Sequence, residues 1–328
     1  MLGIETSCDE TSFALVESGY RLVGYVVGSS AEIHARYGGI IPEIASRKHL
    51  ELLWPLLREL FTKVNCDVEE INLIAVTNRP GLIPSLLVGV SVAKAFALAI
   101  NRPLVGVDHI IAHLYAPFID NPNPPDLPFV GLVVSGGHTQ IFLVSDWDRE
   151  KIKLLGKTRD DAVGEALDKA AKLLGLGYPG GPVIEKMAME GEAVYDFPVY
   201  RGQGFDFSFS GVKTALLYFL RDKELNHRLL RDVCASYQKA IVEVLVEKTI
   251  QSARNYSVKD VVVGGGVSAN KYLRCRFEEE ATKYGIKVHF PELRFCMDNA
   301  VMIAGLGYQW YIRGAKDSLG LEVFSKSR

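Results

Sequence analysis

Three segments of this chain leave an apolar, strand-like run and break at once into a turn rich in glycine or hydroxyl side chains. They are Gly3-Ile4-Glu5-Thr6-Ser7-Cys8-Asp9-Glu10-Thr11, Val133-Val134-Ser135-Gly136-Gly137-His138-Thr139 and Val262-Val263-Gly264-Gly265-Gly266-Val267-Ser268-Ala269-Asn270. Such turns aim backbone N–H groups and hydroxyls at an anion, and glycine lets the backbone approach closely. Three of them in one chain predict a nucleotide held between two lobes. The glycine run at 264–266 is not a G-x-G-x-x-G fingerprint and no G-x-x-x-x-G-K-[ST] occurs, so the dinucleotide-binding and P-loop readings fall away.

The rest of the pattern alternates strand and helix. Residues 2–5 and 13–16 read as strands around the first turn, 43–64 as an amphipathic helix, 73–77 as a buried strand, 86–99 as an apolar helix and 104–107 as another strand. Later come strands at 130–134, 140–144 and 259–263, and helices at 164–174, 227–253 and 299–310, with a helix opened by Pro182. The alternation predicts an α/β fold with crossover connections. The two halves echo each other, each starting with a hairpin whose turn is polar. The proline-rich stretch Asp120-Asn121-Pro122-Asn123-Pro124-Pro125-Asp126 reads as a rigid connection between the lobes.

With 328 residues, the chain is long enough for two cores. It has no run of about 18 apolar residues, as a membrane helix would need, and its first residues show no basic-then-apolar leader pattern, so export is not expected. Its five scattered cysteines form no CxxC pair. Reduced thiols in a cytoplasm are the expectation. A formal net charge of −2 does not advertise a nucleic-acid binder, so an RNA partner would have to meet a local basic patch or a basic companion. Lys271, Arg274 and Arg276 are one such patch, and a solvated helix face reads the same way.

Metal chemistry enters with His109-Ile110-Ile111-Ala112-His113. If Asp108 or His109 opens a helix, both imidazoles lie on one face, a turn apart. Asp298, at the start of the 299–310 helix, completes a His–His–carboxylate set with open positions, as in catalytic iron or zinc sites. It also fits an ordinary N-cap. A metalloprotease would need HExxH, and Ile110 stands where the general base belongs. Elsewhere, Ser135-Gly136-Gly137 also reads as a plain hairpin turn, whereas three successive glycines at 264–266 imply close approach to something flat or anionic. In Asp160-Asp161-Ala162-Val163-Gly164-Glu165-Ala166-Leu167-Asp168-Lys169 the early acids suit a helix first turn. Asp168, seven residues after Asp161, would share its face and meet a ribose hydroxyl. Asp206-Phe207-Ser208-Phe209-Ser210-Gly211 reads as a strand edge or a covering loop before a helix.

Taken in order, GIETSCDET, HxxxH, LVVSGGHTQ, DDAVGEALDK, LLGLGYPGGP, DFSFSGVKT, GGGVSAN and FCMDNA resemble the universal tRNA threonylcarbamoyladenosine synthase family. Residues 40–51 and the DFSFSG segment look like its bacterial branch. The resemblance implies an actin/Hsp70/sugar-kinase-like fold, with a first lobe of residues 1–106 and 300–328 and a second of 107–299. It implies transfer of threonylcarbamoyl from threonylcarbamoyl-AMP to the N6 amine of the adenosine 3′ of the anticodon. It assigns His109, His113 and Asp298 to one divalent metal, iron(II) foremost and zinc as the alternative. Val133, Val134, Ser135, Gly136, Gly137, Asp168, Gly181, Glu185 and Asn270 would hold the adenylate. Asp9 and Glu10 would position metal or substrate, and Asp9 or His138 would accept the amine proton. The implied partners are tRNA, a scaffold paralogue (TsaB) and a small ATPase (TsaE), with a homodimer when the chain is alone.

Two departures stand out. The family's bacterial members often read HMEGH and GPGL where this chain has His109-Ile110-Ile111-Ala112-His113 and Arg79-Pro80-Gly81-Leu82. Arg79 either questions a left-handed turn or adds a cation. The rival readings are a small-molecule kinase of the same fold, with no use for the histidine pair, and a catalytically silent scaffold paralogue, which should have lost the metal set.

Overall fold

The computed structural model describes residues 1–30, 33–34, 39–221 and 223–327. The chain divides into two compact units. The first comprises Met1–Pro124, Trp147–Glu150 and Glu292–Arg328, the second Pro125–Asp146 and Lys151–Pro291.

In the first unit, β1 (Leu2–Glu5), β2 (Glu10–Glu17), β3 (Arg21–Ser29), β4 (Ile74–Arg79) and β5 (Leu104–Asp108) form one sheet in the order β3-β2-β1-β4-β5. The first three strands are antiparallel, and β4 and β5 join parallel to β1. Parallel neighbours need crossovers, supplied by α1 (Pro42–Val64) and α2 (Ile83–Ala99). Leu53, Leu57 and Leu60 form the buried stripe of α1, which ends where Asn65 turns left-handed at φ 48°. Two further helices follow strand ends: α3 (His109–Tyr115) directly after β5, and α9 (Ala300–Ile312). The latter is apolar because it is buried on nearly every side. It lies so close to β1 that a Cβ on Gly3 would come 2.3 Å from the Ala300 carbonyl oxygen.

The second unit repeats the plan. Its strands β6 (Phe129–Val134), β7 (Thr139–Val144), β8 (Ile152–Lys157), β9 (Asp260–Gly264) and β10 (Lys287–His289) run in the order β10-β9-β6-β7-β8. Again three are antiparallel and two are added parallel. Around this sheet stand α4 (Val163–Leu173), α5 (Gly180–Ala188), α6 (Ser210–Leu220), α7 (His227–Asn255) and α8 (Lys271–Thr282). The echo between the halves is therefore a duplicated sheet topology.

The boundaries differ from the sequence expectation. The first unit continues to Pro124 rather than 106 and resumes at Glu292 rather than 300. The reason is packing: α3 lies against α9, so the histidine pair and Asp298 belong to one unit. Trp147–Glu150 also returns to that unit, where Trp147 packs edge-on against Tyr115 and Arg149 sits 4.2 Å over the Trp310 ring. No described helix is long and apolar enough to cross a membrane.

Candidate metal centre and glycine-rich turns

The histidine pair is set by the end of β5. Asp108 caps α3, its Oδ1 accepting the N–H groups of Ile110 at 3.0 Å and Ile111 at 3.3 Å. The helix therefore begins at His109, and the four-residue spacing stacks the two rings edge to face, centroids 4.7 Å apart. Ile110, Ile111 and Ala112 between them are buried, so apolar residues suit the positions where bacterial sequences often carry other types.

Asp298 arrives from the opposite end of the chain. It is not the N-cap of α9. That role belongs to Asn299, whose Oδ1 accepts from Met302 N and whose amide donates to the Phe295 and Met297 carbonyls. Ala300 N also donates to the Ser12 hydroxyl, which pins the helix start to β2. The Asp298 carboxylate is thereby left to the histidines. Its Oδ1 lies 3.3 Å from His109 Nε2 and 3.2 Å from His113 Nε2.

These three side chains offer one ligand atom each within 4.8 Å of one another. The His113 contact is close without hydrogen-bond geometry, so both nitrogens of this buried ring lack a hydrogen-bond partner. Unpartnered imidazole nitrogens in a protein interior are costly. Two imidazoles and one carboxylate facing a common point are what a divalent cation of the iron or zinc type takes. The residues fit the ion that the resemblance implies.

Glu5, which sequence reasoning had not singled out, completes the arrangement. It is fully buried at the end of β1, where its Oε2 accepts from His109 Nδ1 at 2.9 Å and from the Thr77 hydroxyl at 2.6 Å. Its other oxygen accepts from Ser7 N. A carboxylate on Nδ1 fixes the tautomer that turns the Nε2 lone pair toward a metal. The signal was one acid ending an otherwise apolar strand, Leu-Gly-Ile-Glu.

The electrostatics follow from burial and proximity. Burial works to lower the His109 ring, but Asp298 and Glu5 outweigh it and hold its pKa well above the ordinary value. Burial works to raise Asp298, and the His109 ring reverses this, holding the carboxyl well below its usual range. Glu5 is shifted down by the same contest between burial and His109. For His113 burial wins and the pKa falls, which favours the neutral, ligating form. Glu10, which opens β2 just after the Ser7–Asp9 turn, is pushed up to about 10 by burial, then by the negative charges of Asp298 and Asp9. Such crowding of acid around two imidazoles is relieved by a cation. His49 braces this turn, pairing with the Thr11 hydroxyl at 2.8 Å and the Cys8 carbonyl at 3.1 Å.

In the second unit the predicted residues make separate local contacts. Val133 and Val134 are buried strand positions, and Ser135 closes the turn: its N–H donates to the His138 carbonyl and its hydroxyl accepts from His138 N. Gly136 and Gly137 face open space, with nothing within 4 Å of an added Cβ. Gly265, at φ 93°, passes so close to β6 that a Cβ would come 2.4 Å from the Val134 carbonyl oxygen. Here the glycine run meets backbone of its own sheet.

Asp168, Glu185 and Asn270 each serve a helix start. Asp168 accepts from Gly180 N, beside Gly181, at 2.6 Å, and burial raises its carboxyl. Glu185 accepts from Lys271 N at 2.7 Å. Asn270 caps α8 through Leu273 N and donates to Gln238, both at 2.8 Å. Asp161 does not share a helix face with Asp168, because α4 begins only at Val163. The basic patch is largely engaged: Arg274 donates to the Ser268 and Pro291 carbonyls, and Arg276 to Glu243. Arg79 ends β4 in extended backbone rather than a left-handed turn.

The model of the family described as TsaD, tRNA N6-adenosine threonylcarbamoyltransferase, matches residues 21–305. A Dictyoglomus turgidum protein of that name is 46% identical over 325 residues, covering 98% of this chain and 96% of its own. One from Kosmotoga olearia is 47% identical over 316 residues, covering 96% and 94%. Among solved structures, T. kodakarensis HypF aligns with TM-score 0.64 at 16% identity, over 95% of this chain and 47% of that one. The activator of the 2-hydroxyisocaproyl-CoA dehydratase from Clostridium difficile aligns with TM-score 0.53 at 13% identity, over 95% and 93%. These structures speak to fold alone, and with the duplicated sheets they place the chain in the actin/Hsp70/sugar-kinase-like α/β class. The family match and the near full-length relatives establish that the chain belongs to the TsaD family of tRNA N6-adenosine threonylcarbamoyltransferases.

Proposed function

We propose that this protein transfers threonylcarbamoyl from threonylcarbamoyl-AMP to the exocyclic N6 amine of the adenosine 3′ of the anticodon in tRNAs reading ANN codons, releasing AMP. Membership of the TsaD family carries this reading. The His109–His113–Asp298 set, backed by Glu5, favours it over a kinase of the same fold and over a silent scaffold, neither of which needs that set.

The donor is a mixed anhydride with a good leaving group, so the protein's task is orientation and charge stabilisation. Ser135, Gly136, Gly137, Asp168, Gly181, Glu185 and Asn270 are assigned to the AMP moiety, with Gly136 and Gly137 offering open backbone. The side chains of Asp168, Glu185 and Asn270 already bond helix N-termini. They therefore shape the nucleotide site chiefly by fixing those helices. A divalent ion on His109, His113 and Asp298, iron(II) by first assignment and zinc by second, would supply Lewis acidity toward donor oxygens. Glu5 keeps the His109 tautomer correct for that ligation. In the metal-free protein Glu10 keeps its proton at neutral pH and is a hydrogen-bond donor there. Asp9 and His138 are the two candidates for accepting the amine proton.

The expected setting is cytoplasmic, with TsaB and TsaE as partners. Leu50 and Trp54, both exposed on α1, supply apolar surface for a scaffold contact. The test is incubation of the chain and these partners with threonylcarbamoyl-AMP and unmodified tRNA, followed by mass spectrometry of the nucleosides. Product with the parent and none with His109→Ala supports the reading. Absence of product from the parent, with intact donor and folded tRNA, overturns it.

A further inference from the structure

The segment after α9 runs back across the ends of β4 and β5. Asp317 accepts the Gly106 N–H at 2.8 Å, and the Asn78 amide donates to the Glu322 carbonyl at 2.9 Å. Phe324 N donates to the Asn78 carbonyl at 3.0 Å, and the Arg79 guanidinium lies 4.2 Å above the Phe324 ring. Arg79, where the family's bacterial members usually carry glycine, thus has a defined use. The segment ends with the Ser327 hydroxyl donating to Asp108 Oδ2.

Asp108 is the residue through which this path reaches the metal set. Its Oδ1 is spent on capping α3, and burial leaves it 6% exposed. A buried carboxylate oxygen needs a donor, and Ser327 provides it. The next residue is His109. A shift of the Asp108 carboxylate would loosen the first turn of α3, which presents that ring to Glu5 and Asp298.

We propose that residues 317–327 form a strap that positions the metal-binding helix, with Ser327 acting through Asp108 and the Phe324–Arg79 stack as its clamp. The inference rests on reading His109, His113 and Asp298 as a metal set. It predicts that weakening the strap lowers metal affinity although no ligand is touched. Supporting residues next to the ligands are worth about 10–100-fold in affinity, and Ser327 stands one contact further out. The expected loss is therefore about threefold to tenfold.

The experiment uses the full chain, with zinc as probe in competition with a chromogenic chelator at 25 °C, alongside thermal melts of the metal-free protein. The variants are Ser327→Ala, Phe324→Ala and the conservative Ser327→Thr. Zinc binding by the parent, weakened in both alanine variants and restored in Ser327→Thr, is the expected result. Unchanged affinity in the alanine variants overturns the strap, and so does a lowered melting temperature with affinity intact or a loss that threonine does not restore. A parent that binds no zinc overturns the metal reading itself, which separates the two failures.

Discussion

Replacing Glu5 by glutamine removes one charge and no volume, and the surroundings give that change a defined consequence. The carboxylate receives three donors: Ser7 N on one oxygen, and the Thr77 hydroxyl and His109 Nδ1 on the other. A glutamine has one acceptor oxygen and one NH2 group. If its oxygen faces His109 and Thr77, the NH2 group confronts Ser7 N–H, donor against donor. If it is flipped, the NH2 group faces His109 Nδ1, which must then accept. The proton moves to Nε2, the atom 3.3 Å from Asp298 Oδ1, and the lone pair meant for a metal is lost.

Either orientation is costly. A confronted buried donor costs about 1–3 kcal/mol of stability. Loss of the supporting carboxylate costs about 10–100-fold in metal affinity, equivalent to about 1.4–2.7 kcal/mol. Chelator competition measures the affinity, and the nitrogen shifts of His109 by NMR report its tautomer. Glu5→Gln should bind zinc at least tenfold more weakly than the parent. Affinity within twofold of the parent, with His109 still protonated on Nδ1, would refute the argument that Glu5 sets the tautomer.

Other consequences can be checked directly. Glu10 has its folded value raised to about 10 from an ordinary 4.5, so folding retains a proton that the unfolded chain releases. Metal-free stability should therefore fall by up to about 1.4 kcal/mol per pH unit between those values. Glu10→Gln should remove this loss, raising the melting temperature more at pH 8 than at pH 5; an equal effect at both would contradict the assignment. Asn270→Ala removes a helix cap and strands Gln238, and should cost about 1–3 kcal/mol in denaturant unfolding. Trp54→Glu, on the exposed face of α1, should abolish co-purification with the scaffold partner while the melting temperature stays put. Retained partner binding would move that contact elsewhere.

Residue order alone carried a large part of this protein. Period-two and period-3.6 apolar runs located most buried strands and helices, because burial on one face imposes those spacings wherever the chain folds. β3, β8 and β10 escaped: exposed and half-buried positions blur the pattern in β3 and β8, and β10 has only 3 residues. The histidine pair was legible because its spacing is local, one turn of a helix that Asp108 opens. Asp298 was legible as a partner, but its cap role was not. Asp298 and Asn299 both suit a cap, and only the path of the backbone into α9 chose the asparagine.

What tertiary structure decided is where distant groups meet. The acid ending β1, the hydroxyl of Thr77 on β4 and the ring of His109 after β5 converge because those three strands are neighbours in one sheet. The same sheet order put α3 and Asp298 in the first unit, against the boundary expected from the sequence. Asp168, Glu185 and Asn270, expected to hold the adenylate, also hold helix N-termini. A polar side chain beside a glycine turn looks the same in sequence whether it faces a nucleotide or the peptide N–H groups of the next helix. Sequence sets which groups can bond, while packing, which leaves no buried donor or acceptor idle, sets which of them do.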